Sequence, residues 1–230
     1  MTADTAVIFD LDDTLYQERR FALSGYAAVA SRVAEETGMP RAVLFRFLVQ
    51  RFRARGRERL LQTWCAEFAL PVADVPSYVD VIRTHVPRVR LPARSRRVLA
   101  ALRTGGYRLG VLTNGLPPTQ PGKVEALGLA ALVDITVYAN ECAPGGKPAI
   151  VCFQTVLQRL GVAASSAVFV GDHLDNDIAG AAAAGLSTIW LPGRQPHATR
   201  PAAVHAIATT LGDVPSLVTA LLEARRVPVC

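Results

Sequence analysis

The chain has 230 residues, half of them hydrophobic and only 19% charged, which supplies a large buried core, excludes a disordered segment, and suits one large α/β domain or a core with an insertion. A formal charge of +6 leaves nucleic acid, a membrane surface or anionic small molecules open, but the densest basic run, Arg51, Arg53, Arg55, Arg57 and Arg59, has only Phe52 among its arginines, no alternating series of aromatic residues for stacking, and reads as a solvated helix face. No apolar run approaches the roughly 18 residues of a membrane span, and the first residues lack the basic, apolar and small-residue order of a signal peptide, so a cytoplasmic protein without nucleic-acid or membrane partners is expected.

The first predicted strand, Ala6 to Asp12, is apolar until it delivers Asp10, Asp12 and Asp13 within Phe9-Asp10-Leu11-Asp12-Asp13-Thr14-Leu15. From Tyr16 to Leu91 there is no strand pattern. Phe21, Gly25, Ala28, Val29 and Val33 recur at helical spacing, and further helices are expected over Arg41 to Arg53, Glu58 to Leu70 and Val75 to Val86, broken by Gly38-Met39-Pro40, Gly56 and Pro71. The chain thus divides into a core of residues 1–15 and 92–230 and an all-helical insertion over 16–91. In the core, a helix over Pro92 to Arg103 is followed by strands at Arg108 to Asn114 and Ile135 to Asn140, a helix over Pro148 to Leu160, and strands at Ala167 to Asp172 and Ser187 to Leu191. Such alternation predicts a Rossmann-like, parallel five-stranded sheet with helices on both faces. Pro192 to Pro201 is rich in turn formers and reads as loop.

Polar groups collect at the strand ends, where open α/β sheets build their sites. The second strand ends in Thr113-Asn114-Gly115, Lys147 precedes the helix opened by Pro148, and the fourth strand ends in Gly171-Asp172, with Asp177 five residues on. Clustered carboxylates repel, so a positive group must compensate, and aspartates suit Mg²⁺. The chain has two lysines, Lys123 and Lys147, against twenty-three arginines. A lysine surviving such a bias points to a need for a compact ammonium. Cys65, Cys142, Cys152 and Cys230 have neither zinc-site spacing nor a disulfide pattern. Gly145-Gly146-Lys147 is no P-loop, because Pro148 replaces the required Ser or Thr, and Ser24 has no nucleophile-elbow setting.

On these residues the chain resembles the haloacid dehalogenase superfamily over nearly its whole length. The family's D-x-D-x-T matches Asp10 to Thr14, its strand-end Thr or Ser matches Thr113, its G-x-K-P matches Gly145 to Pro148, and its G-D-x-x-x-x-D matches Gly171 to Asp177. The resemblance implies a magnesium-dependent phosphatase acting through an aspartyl-phosphate, with Asp10 as nucleophile and Asp12 as acid and then base. It implies metal binding by Asp10, the Asp12 carbonyl, Asp172 and Asp177, and substrate contacts from Thr113, Asn114 and Lys147. The helical insertion resembles the family's cap, in which Tyr16, Arg19 and Arg20 lie just beyond the hinge. The implied partner is a small phosphorylated metabolite, such as a sugar phosphate or nucleoside monophosphate, met by a monomer or homodimer. A phosphomutase, a dehalogenase and a catalytically silent binding protein are the alternatives; dehalogenase relatives lack the carboxylate held here by Asp12. His173 either touches substrate or packs its loop.

Overall fold

A computed structural model of the protein describes residues 4–193 and 201–226. It divides into two compact units, one running to Gln17 and resuming at Arg90, the other spanning Glu18–Val89. The first unit opens with β1 (Ala6–Phe9), whose four residues are fully buried. A strand covered on both faces reads as a continuous apolar run rather than an alternating one, as Ala-Val-Ile-Phe does.

The second unit is helical: α1 (Arg19–Thr37), α2 (Arg41–Arg55), α3 (Leu60–Glu67) and α4 (Val75–Thr84). Helix α1 stops at Gly38, whose φ of 74° is the left-handed conformation that lets its N–H close back on Ala34. Phe21, Gly25, Val29 and Val33 of the expected face are buried, while Ala28 is partly covered. Tyr26, Val29, Val33, Leu44, Leu48 and Trp64 form the core, and the Trp64 indole N–H donates to the Leu44 carbonyl at 3.2 Å. Each such side chain removed from water contributes about 1.5–3 kcal/mol. The arginine run lies largely exposed, and Arg57 pairs with Glu18.

The first unit resumes with α5 (Ala93–Thr104), β2 (Arg108–Thr113), α6 (Thr119–Ala126), β3 (Ile135–Tyr138), α7 (Ala139–Cys142), α8 (Ile150–Leu160) and β4 (Ala167–Gly171). A π-helical turn (Leu174–Ala179), α9 (Gly180–Ala183), β5 (Ser187–Trp190), β6 (Ala206–Ile207) and α10 (Val214–Arg226) follow. The strands are parallel in the order β3-β2-β1-β4-β5-β6. The fold is therefore the expected Rossmann-like α/β core, with six strands rather than five. Strand β6 is two residues long, too short for any periodic signal. Most of the loop expected at Pro192 to Pro201 lies outside the described residues.

Register determines what meets at the sheet's carboxyl edge. Phe9 aligns with Val111 of β2 and Val170 of β4, and the Asp10 N–H continues the ladder to the Val170 carbonyl at 2.9 Å. The strand order reverses beside β1, successive strands running outward through β2 and β3 on one side and through β4, β5 and β6 on the other, and such a switch point opens a crevice above the strand ends. Among the described residues, no helix is long and apolar enough to cross a membrane.

Candidate active site

Asp10 follows β1 directly, so the central strand delivers its carboxylate to the crevice almost buried, at 6% exposure. The Lys147 ammonium donates to Asp10 Oδ1 and to Asp177 Oδ1, each at 2.6 Å, with the Lys147 side chain 2% exposed. Asp177 reaches this point from the π-helical turn after β4. A Cβ on Gly171 would stand 2.5 Å from the Asp177 side chain, so only glycine permits this approach at the end of β4. The second oxygen of Asp177 accepts the His173 N–H at 3.1 Å. His173 itself accepts the Asn176 N–H on its ring at 3.2 Å, which caps the π-helical turn and favours the loop-packing role of its side chain.

Asp10, Asp172 and Asp177 each present an oxygen within 4.8 Å of the others. Burial holds Asp10 well above the ordinary carboxylate range; Lys147 opposes the shift and Asp177 adds to it. Asp172 rises to about 6, through burial first and then through the charges of Asp177 and Asp13. Lys147 is held protonated against the cost of its burial by the attraction of Asp10 and Asp177. One ammonium thus faces three carboxylates, two of which resist ionisation. An all-oxygen cluster short of positive charge fits a hard divalent cation.

Breaking a buried ion pair by removing one member leaves an uncompensated charge, which typically costs about 3–5 kcal/mol. Lys147→Met should therefore lower the urea midpoint by a loss of that order, with the slope unchanged. A midpoint equal to the parent's would mean that Asp10 and Asp177 do not depend on Lys147 for their burial.

The neighbouring group centres on Asp12, whose side chain is 24% exposed. Its Oδ1 accepts the Tyr16 hydroxyl at 2.7 Å and the Lys123 ammonium at 2.9 Å; its Oδ2 accepts Lys123 at 2.8 Å and the Gln120 amide at 3.1 Å. The same Gln120 nitrogen donates to Thr113 Oγ1 at 2.7 Å. Tyr16 therefore meets Asp12, while Arg19 and Arg20 stand exposed in the first turn of α1 in the helical unit. Asn114 spends both polar atoms on the Lys147 backbone, accepting its N–H at 2.8 Å and donating to its carbonyl at 3.1 Å. Asn114 thereby holds the Lys147 backbone in place.

Neither Gln120 nor Lys123 stands at a predicted strand end or in a family motif. Both sit on α6, which turn formers precede and enter, Pro117 and Pro118 lying before Thr119 and Pro121 and Gly122 within the helix. Pro121 falls in the first helical turn, whose N–H groups have no intrahelical acceptor, so the helix forms around it. The scarcity of lysine was the available signal.

A family model described as haloacid dehalogenase-like hydrolase matches residues 5–185. The chain is 32% identical to a ribulose-1,5-bisphosphate 5-phosphatase of Halopiger xanaduensis, over 93% of this chain and 99% of that protein. It is 30% identical to a glyceraldehyde 3-phosphate phosphatase of Methanothermobacter thermautotrophicus, over 85% of this chain and 88% of that one. Among solved structures, a 2-haloacid dehalogenase from Pseudomonas syringae pv. Tomato superposes with a TM-score of 0.64 at 28% identity, covering 94% of this chain and 98% of that one. The chain belongs to the haloacid dehalogenase-like hydrolases. Within that family it is a phosphatase.

Proposed function

We propose that the chain hydrolyses a terminal phosphate monoester on a small polar metabolite, a sugar phosphate foremost, with Mg²⁺ and through an aspartyl-phosphate on Asp10. The observation that carries this reading is the buried Asp10–Lys147–Asp177 cluster at the end of β1, with Asp172 beside it. The relatives named for ribulose 1,5-bisphosphate and glyceraldehyde 3-phosphate support the substrate class.

An Asp10 oxygen attacks phosphorus, and the bond from phosphorus to the leaving oxygen breaks. Asp12, protonated for this step, gives its proton to that oxygen as it leaves. Thr113 and Lys147 hold phosphoryl oxygens, and the Lys147 charge reduces repulsion between the anionic nucleophile and the anionic ester. Asp12 then takes a proton from water, whose oxygen attacks the phosphorus of the acyl phosphate, restoring Asp10 and releasing inorganic phosphate. Magnesium, held by the carboxylates of Asp10 and Asp172 and the Asp12 main-chain carbonyl with Asp177 in support, would neutralise charge on the phosphoryl group. The helical unit, inserted between β1 and α5, acts as the cap that excludes water and selects among esters.

Phosphate release should be measured over a panel of sugar phosphates and nucleoside monophosphates after chelation, with and without added Mg²⁺. Turnover should vanish on chelation and return with Mg²⁺, highest on a sugar phosphate. Full activity in chelator removes the metal, and inactivity toward every ester overturns the reading. Halide release from 2-chloropropionate would favour the dehalogenase chemistry of the Pseudomonas syringae neighbour. Isomerisation of a sugar phosphate without net phosphate release would favour a mutase.

A further inference from the structure

Both lysines of the chain are buried against site aspartates. Lys147 bridges Asp10 and Asp177, and Lys123, at 4% exposure, contacts both oxygens of Asp12. Twenty-three arginines serve every other position that calls for a fixed positive charge. A guanidinium is a rigid planar fork, whereas an ammonium is a compact charge that can sit across one carboxylate and turn with it. Lysine at 123 is thus a choice that the composition of the chain sets apart.

The surroundings of Lys123 are built to hold it. Gln120 and Lys123 lie three residues apart on α6 and therefore on one face of the helix. Gln120, at 1% exposure, bridges the Asp12 carboxylate and the Thr113 hydroxyl. A Cβ on Gly115 would stand 2.6 Å from the Gln120 side chain, so the turn after β2 leaves room for that amide. With Tyr16 on the other oxygen, Asp12 receives four donor contacts, about as many as a carboxylate has lone pairs.

We propose that Lys123 is a positioning residue that aims the Asp12 carboxylate at the reacting oxygen during both proton transfers. A leaving oxygen or water can reach Asp12 only by replacing one of its donors. Gln120 and Tyr16 each hold one oxygen, so losing either contact frees that oxygen to swing. Lys123 holds both, and keeps the carboxylate in place through one while the other turns to the substrate. Lys123 acts through Asp12 and contributes to turnover without contributing to substrate affinity. The inference rests on the phosphatase reading and on the acid–base role of Asp12 within it.

A double-mutant cycle on p-nitrophenyl phosphate tests it. Lys123→Met in the parent should lower kcat at least tenfold and leave KM within threefold. In an Asp12→Asn background the same substitution should change the residual kcat by less than twofold, because the group through which Lys123 works has gone. Thermal unfolding of each variant checks the fold. Should Lys123→Met not fold, Lys123→Gln, which keeps one donor near Asp12, is read in the same cycle with at least a fivefold loss expected in the parent. Equal losses in the two backgrounds, a loss confined to KM, or parent-like kcat overturns the role of Lys123. A parent with no phosphatase activity overturns the phosphatase reading instead, and the two failures are distinct.

Discussion

Asp10→Asn should abolish turnover by roughly 10⁴-fold or more, equivalent to about 5.4 kcal/mol of transition-state stabilisation, while leaving the fold intact. The amide has the shape of the carboxylate but no anionic oxygen to attack phosphorus. One oxygen remains to accept from Lys147, which in the parent bonds Asp10 at 2.6 Å and keeps its second partner, Asp177, in the variant. The direction of the effect on stability follows from burial. Asp10 binds its proton more tightly in the folded chain than in the unfolded one, so holding it ionised costs folding free energy, increasingly as pH rises from the ordinary carboxylate value of 3.8 toward its elevated folded value. The neutral amide carries no such cost. In metal-free buffer at pH 7 the variant should therefore unfold no earlier than the parent by calorimetry, while single-turnover mixing with p-nitrophenyl phosphate should release no nitrophenolate. Release at the parent's rate would take the nucleophile's role from Asp10, and early unfolding would mean that its charge supports the Lys147 cluster.

What could be read from the sequence divides along physical lines. Strands β1, β2 and β4 are buried on both faces and announced themselves as apolar runs ending in polar residues, so Asp10, Thr113 and Asp172 were each found at a strand's carboxyl end. Such ends are set by the local chain. Two partners of Asp12 are not: Gln120 and Lys123 reach it from α6, more than a hundred residues away in sequence, through a helix disguised by the prolines before and within it. Tyr16 was legible as a site-side residue, but its hydroxyl turns back to Asp12 because the chain folds sharply there, the Asp13 N–H donating to the Tyr16 carbonyl at 2.8 Å. Asn114 shows a further contact that the local chain does not reveal. Its position after Thr113 places it at the strand end, and its amide makes a pair of hydrogen bonds with one backbone residue distant in sequence, Lys147. Sequence proximity to a reactive group does not separate a side chain that meets the ligand from one that holds its neighbour.

Asp12→Asn should separate the two halves of the proposed reaction. In the first half Asp12 protonates the leaving oxygen, and p-nitrophenolate hardly needs that proton. In the second half a base must activate water, and an amide cannot serve. The substitution leaves the main chain at residue 12 in place, and the surrounding donors can adapt. The Asn oxygen can accept from Lys123 and Tyr16, and Gln120 can turn its amide to accept from the new N–H₂. Rapid mixing with p-nitrophenyl phosphate should therefore show a burst approaching one nitrophenolate per active site, followed by turnover slowed by roughly 10²–10⁴-fold, the range ordinarily lost with a general acid or base. The burst is the signature of a covalent intermediate that forms and then waits. Acid quenching during the slow phase should trap phosphate on the protein, and sodium borohydride reduction should convert the phosphorylated Asp10 to homoserine. A poor leaving group such as glycerol phosphate should give no burst, because there the first step also needs the missing proton. Slow, linear nitrophenolate release from the first turnover would show that Asp12 is required for Asp10 to attack at all, and the division into an acid step and a base step would have to be given up.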